Sequence, residues 1–505
     1  MSARRPWPLC VLLAPLCLLC LACPGDTPKP PITQVDDEDA VHATRVIHRR
    51  LESGDVDTVD STGVSSSLSV LVPTGDTFET RPFVSTGESS FRFDDVPQGL
   101  YYLKRGTGTY VITSHRELDL GEYVLGREGV VTVSAAIPVT LTLDGLAPMD
   151  AYQEFDVASP NAGAAGVLHL DPAPQPGATS LTEQPAEYRS AIGRQEVLDG
   201  TKGDRLYLLQ KLRRSAGAFN YFAVAQALTL SGVSLRGDGQ ATLLRGSFGV
   251  APQRQLTLDW RRSSFEAFRA AVHPLAVGLP EASVRHSLVL VPAVGGLSKG
   301  AVGYVGDLLV GNLPAASQDV NLVLDYGNPY PLTWGVVASV VHRYQVPVRL
   351  PAQARAGSVG VSLMEQGELS AFSSGPVQIR LSPPTQLRVD GRDAQQDGEL
   401  DSLTPVFTWE PPELGTADVY ELRILRLSLS PTVPDTIRTE TVATFLTAER
   451  QVRLPPGVLE AKQSYVVRVA AMRTPGVDLT QAPYQADTLV DTSLAETLSS
   501  VLSTH

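Results

Sequence analysis

The sequence predicts an all-β chain of several β-sandwich domains in tandem behind a flexible N-terminal tether, and three observations lead there. From about Ala43 to near the C-terminus, short runs rich in β-branched and aromatic residues recur, several alternating apolar with polar side chains as half-buried strands do. Gly, Pro, Asp and Ser break these runs at short intervals, which suits the turns of sandwiches. The chain has 505 residues, enough for several cores of ordinary domain size, and it shows no repeat at a fixed short period that would indicate a solenoid.

At the N-terminus, Arg4 and Arg5 precede an apolar run from Leu9 to Leu21, which ends in Leu21-Ala22 directly before Cys23. This is the grammar of an export signal. A spanning helix needs about 20 apolar residues, whereas this run is shorter, contains Pro15 and gives way at once to Pro24-Gly25-Asp26. The small residue ahead of Cys23 resembles the lipobox of bacterial lipoproteins, with Cys20 standing where leucine is usual. That resemblance implies that residues 1–22 are a signal peptide and that Cys23 is lipidated and becomes the mature N-terminus. It also places the protein in the bacterial cell envelope, and Pro24 in the next position implies the outer membrane. Several acyl chains would hold it firmly where one binds only marginally.

The 4 cysteines are Cys10, Cys17, Cys20 and Cys23, so a chain cut before Cys23 holds no second thiol and no internal disulfide. The formal charge is -13; removing residues 1–22 takes away two arginines, and 39 basic against 54 acidic residues leaves -15. Scattered bases among a larger number of acids exclude nucleic acid as a partner. The expected partners are the membrane, through the lipid, and a protein or glycan ligand.

Residues 23–42 read as a Pro-rich, acidic, lipidated tether, extended by its prolines and solvated by Asp36-Asp37-Glu38-Asp39. Strands follow at Ser67–Val72, Ser90–Phe93, Tyr101–Leu103, Val130–Val133, Val139–Leu143, Ser287–Val291 and Asn321–Leu324. Two continuous apolar stretches, Leu288–Val291 and Leu322–Leu324, suit strands covered on both faces. A short helix is expected over Ser263–Val272, opened by a serine cap, with Phe265, Phe268 and Val272 on one face and His273-Pro274 as its stop. Residues 158–200, rich in Ala, Gly, Pro and Ser, read as a long loop.

Two segments resemble known modules. The stretch from Ser90 to Leu103, with Phe91, Phe93 and Val96 facing a core and Pro97 and Gly99 turning the chain, is similar to carboxypeptidase regulatory-like domains, which are transthyretin-like sandwiches. It implies a non-catalytic module over residues 43–135. Near the C-terminus, Trp409, the run Val419–Ile424 and the run Tyr465–Ala471 resemble a fibronectin type III domain of Ig-like sandwich fold. There Trp409 would be the core tryptophan and Tyr465 the tyrosine at a sandwich corner, over residues 381–497. Between them, residues 136–280 read as a β-rich domain with a long loop and a short helix, and residues 281–380 as a further sandwich-like domain.

No assembled chemistry emerges. Gly296-Leu297-Ser298-Lys299-Gly300 fits the pentapeptide of a hydrolase nucleophile elbow, with Asp325 and His342 following in the matching order. An elbow needs a helix after the serine, and Ala301–Gly306 is glycine-broken and β-like, so a surface turn is expected instead. Asp55, Asp57 and Asp60 offer carboxylates without EF-hand spacing and read as a solvated loop. His42 and His48 share strand parity but lack further zinc ligands, and His115, His169, His273, His286 and His342 are scattered. Arg236-Gly237-Asp238 reads as a hairpin turn. The expectation is therefore a membrane-anchored, non-catalytic structural or interaction module of the envelope, without catalytic residue, metal or cofactor. The alternative is a hydrolase with its active site in residues 136–380.

Overall fold

The computed structural model describes residues 39–59, 68–150, 153–191, 193–313, 318–350, 356–433 and 436–505. Cys23, the expected signal peptide, the expected tether up to residue 38, and Asp60 lie outside the described residues. The fold is all-β, built of several sheets. Period-two alternation places the strands: Ile137–Asp144 buries every second residue, as does the long strand Gly357–Glu368 over most of its length.

Most strands belong to one hydrogen-bonded ribbon. Its first part runs from Glu117–Asp119 through Val41–Thr44, Ser90–Phe93, Thr77–Ser85, Leu68–Thr74 and Tyr101–Arg105 to Thr109–Thr113. Thr109–Thr113 then lies parallel on Ile437–Thr447, which leads through Val419–Leu429 and Ser464–Arg473 to Thr492–Leu498. From there the pairing passes to Gly357–Glu368, Gly335–Val348, Val284–Ala293, Leu309–Leu313 and Phe219–Ser231. It continues through Arg205–Ala216, Phe155–Ser159, Ala164–Leu170, Leu181–Ser190 and Ile137–Asp144, and ends on Thr242–Ser247. No pairing among the described strands joins the two ends, so the ribbon is open and not a barrel. Its pairings cross residues 135, 280 and 380, the positions at which the sequence suggests boundaries.

Smaller sheets cover its faces. One pairs Val46–Leu51 with Gly54–Val59 and Glu122–Leu125. Another pairs Gln253–Trp260 with Val320–Gly327 and Pro376–Val377, and a third gathers Thr385–Val389, Arg392–Asp393, Val406–Glu410 and Gln451–Arg453. Three cores result. The first holds Phe91, Phe93, Val96, Tyr101 and Leu103, as the sequence predicts. The second is built on Leu141, Phe155 and Tyr188, and the largest runs from Trp260 and Phe265 to Trp409, Phe445 and Tyr465. Trp409 packs against Tyr420, and the Tyr465 hydroxyl accepts a hydrogen bond from the Glu460 N–H at 2.9 Å.

Several expectations are corrected. Residues 158–200 are mostly strand, at Phe155–Ser159, Ala164–Leu170 and Leu181–Ser190, and only the stretch around Pro172–Pro176 stays irregular. The small residues that suggest a loop serve close packing: a Cβ on Gly166 would lie 2.1 Å from the Arg189 carbonyl oxygen. The first strand opens at Val41, after the buried Ala40, so residues 40–42 are part of the fold and not of an extended segment. The helix is broken into Arg262–Glu266 and Arg269–Val272, and no serine side chain caps it. Its apolar face is as expected, with Phe265 and Val272 fully buried. Val323 is 53% exposed, and Val289 and Val291 are half-buried, so neither strand is covered on both faces. Asp55 and Asp57 lie in a strand, not a loop. Arg236–Asp238 forms an exposed turn, but the strands flanking it do not pair with each other.

Replacing Gly166 with alanine puts the new methyl group into backbone that cannot recede. Gly166→Ala is expected to lower stability by about 1–3 kcal/mol, read as a lower urea midpoint, whereas Gly278→Ala, where a Cβ would meet open space, is expected to change it by less.

Candidate functional site

The residues the sequence singles out around Ser298 line the rim of a cleft of about 510 Å³, together with His48, Asp57, Tyr123, Lys299 and Asp491. What builds this place is Arg50. Its side chain is almost fully buried, ion-paired with Asp55, and reaches from the strand Val46–Leu51 to the turn that follows Val284–Ala293. There its Nη1 donates to the carbonyl of Val294 at 2.8 Å and to those of Gly296 and Gly300 at 3.4 Å, and Nη2 donates to that of Lys299 at 3.4 Å. Gly295, Gly296 and Gly300 have φ of 72°, 96° and 80°, a region that favours glycine and that aims these carbonyls inward. The glycines of the pentapeptide thus shape a carbonyl cradle for a guanidinium. Lys299 returns to Asp55 at 3.1 Å, and although burial opposes it, Lys299 and Arg50 hold the Asp55 carboxyl below its ordinary range.

Ser298 has neither an elbow nor a triad. Among the described residues, the chain after it contains no helix before Gly335. His342 pairs with His286, while Gly335 pairs with Ala293 at the other end of the same two strands, roughly 23 Å away at 3.3 Å per residue, and Ser298 lies beyond Ala293. Asp325 is exposed and accepts a hydrogen bond from Gln255 at 3.0 Å. His48, the histidine that does line the cleft, has Nδ1 2.8 Å from Asp57 and stacks on Tyr123 at 4.6 Å. No hydrogen bond connects it to Ser298 among the described residues. The cleft sets the stacked Tyr123 and His48 rings beside the polar side chains of Ser298, Lys299 and Asp491.

A second cluster lies between the strands Val284–Ala293 and Gly335–Val348 and the short helix Arg262–Glu266. His286 and His342, expected to be scattered, are both fully buried and stack face to face at 3.8 Å. Phe265 covers the other face of His342 at 4.1 Å, and the edge of the stack meets Trp260 at 5.4 Å. Glu266, from the short helix, has Oε1 3.1 Å from His286 Nε2 and 3.8 Å from His342 Nδ1, and accepts from the Tyr344 hydroxyl at 3.1 Å. These three side chains offer ligand atoms within 4.8 Å of one another, which raises the question of a metal. The donor set argues against one. Arg262 Nε donates to His286 Nδ1 at 2.9 Å, which places the ring proton on Nε2, the very atom that would have to bind the ion. A metal-bound histidine instead directs its remaining N–H outward, to an acceptor.

The cluster is an ionised carboxylate beside two neutral imidazoles. Burial pushes His342 down to about 3 and also lowers His286. Burial opposes ionisation of Glu266, yet the groups around it, His286 foremost, hold its carboxyl well below the usual carboxylate range. The signal for the histidines lay in parity: His286 alternates in step with Val284, Leu288 and Leu290, and His342 with Val340, Tyr344 and Val346, all of them buried. Nothing in the sequence marks Arg50 out from Arg49.

The relatives add little. No family model matches the chain, and no curated protein matches it. Among solved structures, that of a streptococcal ancillary pilin is similar at 9% identity and a TM-score of 0.11, over 63% of this chain and 95% of that one. A likeness of this size carries no argument.

Two outcomes are expected. Arg50→Met leaves Asp55 and the loop carbonyls without their buried donor and is expected to cost about 3–5 kcal/mol, seen as a lower urea midpoint and faster proteolysis between residues 294 and 300. The second concerns acid. Below about pH 6.5 the unfolded chain protonates the imidazole of residue 342 while the folded chain refuses the proton until about pH 3. Stability therefore falls as the pH drops through that window, by about 1.4 kcal/mol per unit for such a group. His342→Phe, which preserves the stack, is expected to flatten the dependence of the urea midpoint on pH between 6 and 4; an unchanged slope would show that the buried imidazole does not set it.

Proposed function

We propose that the chain is a non-catalytic lipoprotein of the bacterial envelope, held in the outer membrane by acyl groups on Cys23, and that its β modules form a scaffold presenting an interaction surface to protein or glycan. On this reading the first module is of carboxypeptidase regulatory-like type and the last of fibronectin type III type. The observation that supports it is the continuity of strand pairing from Val41 to Thr504, which ties the modules into one body. Such a body suits a spacer that holds a surface at a fixed place. The cleft beside Tyr123 and Lys299 offers that surface a place for a ligand.

Fractionation tests the anchor and digestion tests the orientation. Cys23→Ala is expected to move the protein from the membrane to the soluble fraction, and a variant that stays with the membrane would falsify lipid anchoring. Protease added to intact cells, with lysed cells as control, separates outward display, which directs the search to external glycans and proteins, from an inward role in envelope assembly. Hydrolysis of a peptide, ester or glycan by the purified protein, lost on a point substitution, would overturn the non-catalytic reading.

A further inference from the structure

In the second half of the ribbon, Phe155–Ser159 pairs antiparallel with Arg205–Ala216, Asp156 standing opposite Leu209. Lys211, two residues further along, follows a register shift after Gln210, and its Nζ is in direct contact with Asp156 Oδ2. Both side chains are largely enclosed, at 18% and 15% exposure. This sets Lys211 apart from the other ion-paired lysines among the described residues, Lys202 and Lys299, which are 57% and 67% exposed. A second carboxyl, that of Asp307, lies near enough to act electrostatically on Asp156 and Lys211, and Tyr304 stands close to it. Gly306, beside it, has φ of 88°, and a Cβ there would lie 3.9 Å from Asp156 Oδ2. The buried Tyr330, whose hydroxyl donates to the Val305 carbonyl at 2.9 Å, helps close the site from water.

One amine thus meets a carboxyl in a largely enclosed place, with a second acidic residue beside Gly306 close by. Burial raises both Asp156 and Asp307 above the ordinary carboxylate range, which favours the protonated form of each. An amine beside a carboxylic acid carries the same total charge as an ammonium beside a carboxylate, and burial favours the uncharged pair. Contact between the two groups supplies the proximity that an acyl transfer otherwise lacks.

We propose that Lys211 and Asp156 are joined by an amide bond, a covalent tie between two neighbouring strands that forms in the folded chain with Asp307 as the assisting acid. The Lys211 nitrogen lone pair attacks Cγ of the protonated Asp156 carboxyl. The C–N bond forms, a C–O bond breaks, and a proton passes from the nitrogen to the departing hydroxyl, relayed by Asp307, so that one water leaves. Nothing is oxidised or reduced. A chain with no thiol after Cys23 acquires in this way a cross-link that needs no oxidant.

The test is a tryptic digest of the denatured full-length protein, read by mass. Trypsin cuts after Lys and Arg, so the bond yields residues 128–189 joined to residues 206–213, with one water lost and no cut after Lys211. A free peptide of residues 128–189 at full mass, with a cut after Lys211, overturns the proposal from the wild-type protein alone. Lys211→Arg keeps the ion pair and is expected to give only unjoined peptides; a joined product surviving in that variant would place the bond elsewhere. Asp307→Asn leaves both bonding groups in place and is expected to slow joining by about a hundredfold, and unchanged joining would remove Asp307 from the step.

Discussion

Backbone pairing between strand edges is the constraint on which the rest of this molecule depends. An unpaired edge presents a row of donors and acceptors that recruits other chains. Here the edge strand Thr109–Thr113 of the N-terminal part is covered by Ile437–Thr447, more than three hundred residues away in sequence. Gly357–Glu368 and Thr492–Leu498 do the same for the C-terminal part. Because side chains alternate with a period of two, a one-residue slip at either joint would turn a buried row outward, so the cores on both sides fix the register. Tyr110 stacked on Phe445 at 4.6 Å shows the two constraints acting together.

Buried ion pairs gather where pieces distant in sequence meet. Arg127 makes a two-pronged contact with Asp204 at 2.9 and 2.8 Å, Glu365 receives Arg380 and Ser493 at 2.7 Å, and Glu496 accepts from the Ser362 N–H at 2.6 Å while facing Arg468. Apolar residues of equal volume would often stabilise as well or better, since removing charge from water is costly. What a guanidinium fork adds is direction, because its donors accept a partner only in one plane. Arg50 is the clearest instance, holding a loop by its carbonyls as well as by a carboxylate.

How much of this was legible depended on the length over which a pattern persists. The all-β class, the core residues Phe91, Phe93, Val96, Tyr101 and Leu103, and the apolar face of the short helix follow from local periodicity, which one strand or turn contains whole. The stretch 158–200 was misread because small residues signal a loop when taken alone, whereas Gly166 is small since the next strand leaves no room for a Cβ. The edge-to-edge joints were beyond reach, for the same reason that nothing distinguishes Arg50 from Arg49: their meaning lies in a partner far along the chain. His286 and His342 stand between these cases. Parity with their buried neighbours is a signal for both, although the sequence alone reads them as scattered, and that they stack on each other depends on a register the sequence does not display.

The pentapeptide around Ser298 shows how one pattern serves two kinds of physics. Glycines flank a nucleophile in an elbow because the backbone must turn sharply there and admit a helix behind it. Glycines stand at 296 and 300 here because positive φ turns carbonyl oxygens toward a buried cation. The two cases share a backbone requirement and differ in what lies behind the turn: a helix whose N–H groups favour an oxyanion, or a guanidinium that uses up the carbonyls. With Arg50 in that position, charge of the wrong sign for a general base sits beneath the loop, and its hydrogen bonds fix the turn as part of the joint between hairpin and ribbon. Ser298 is left in the lining of the cleft, placed to contact a bound molecule.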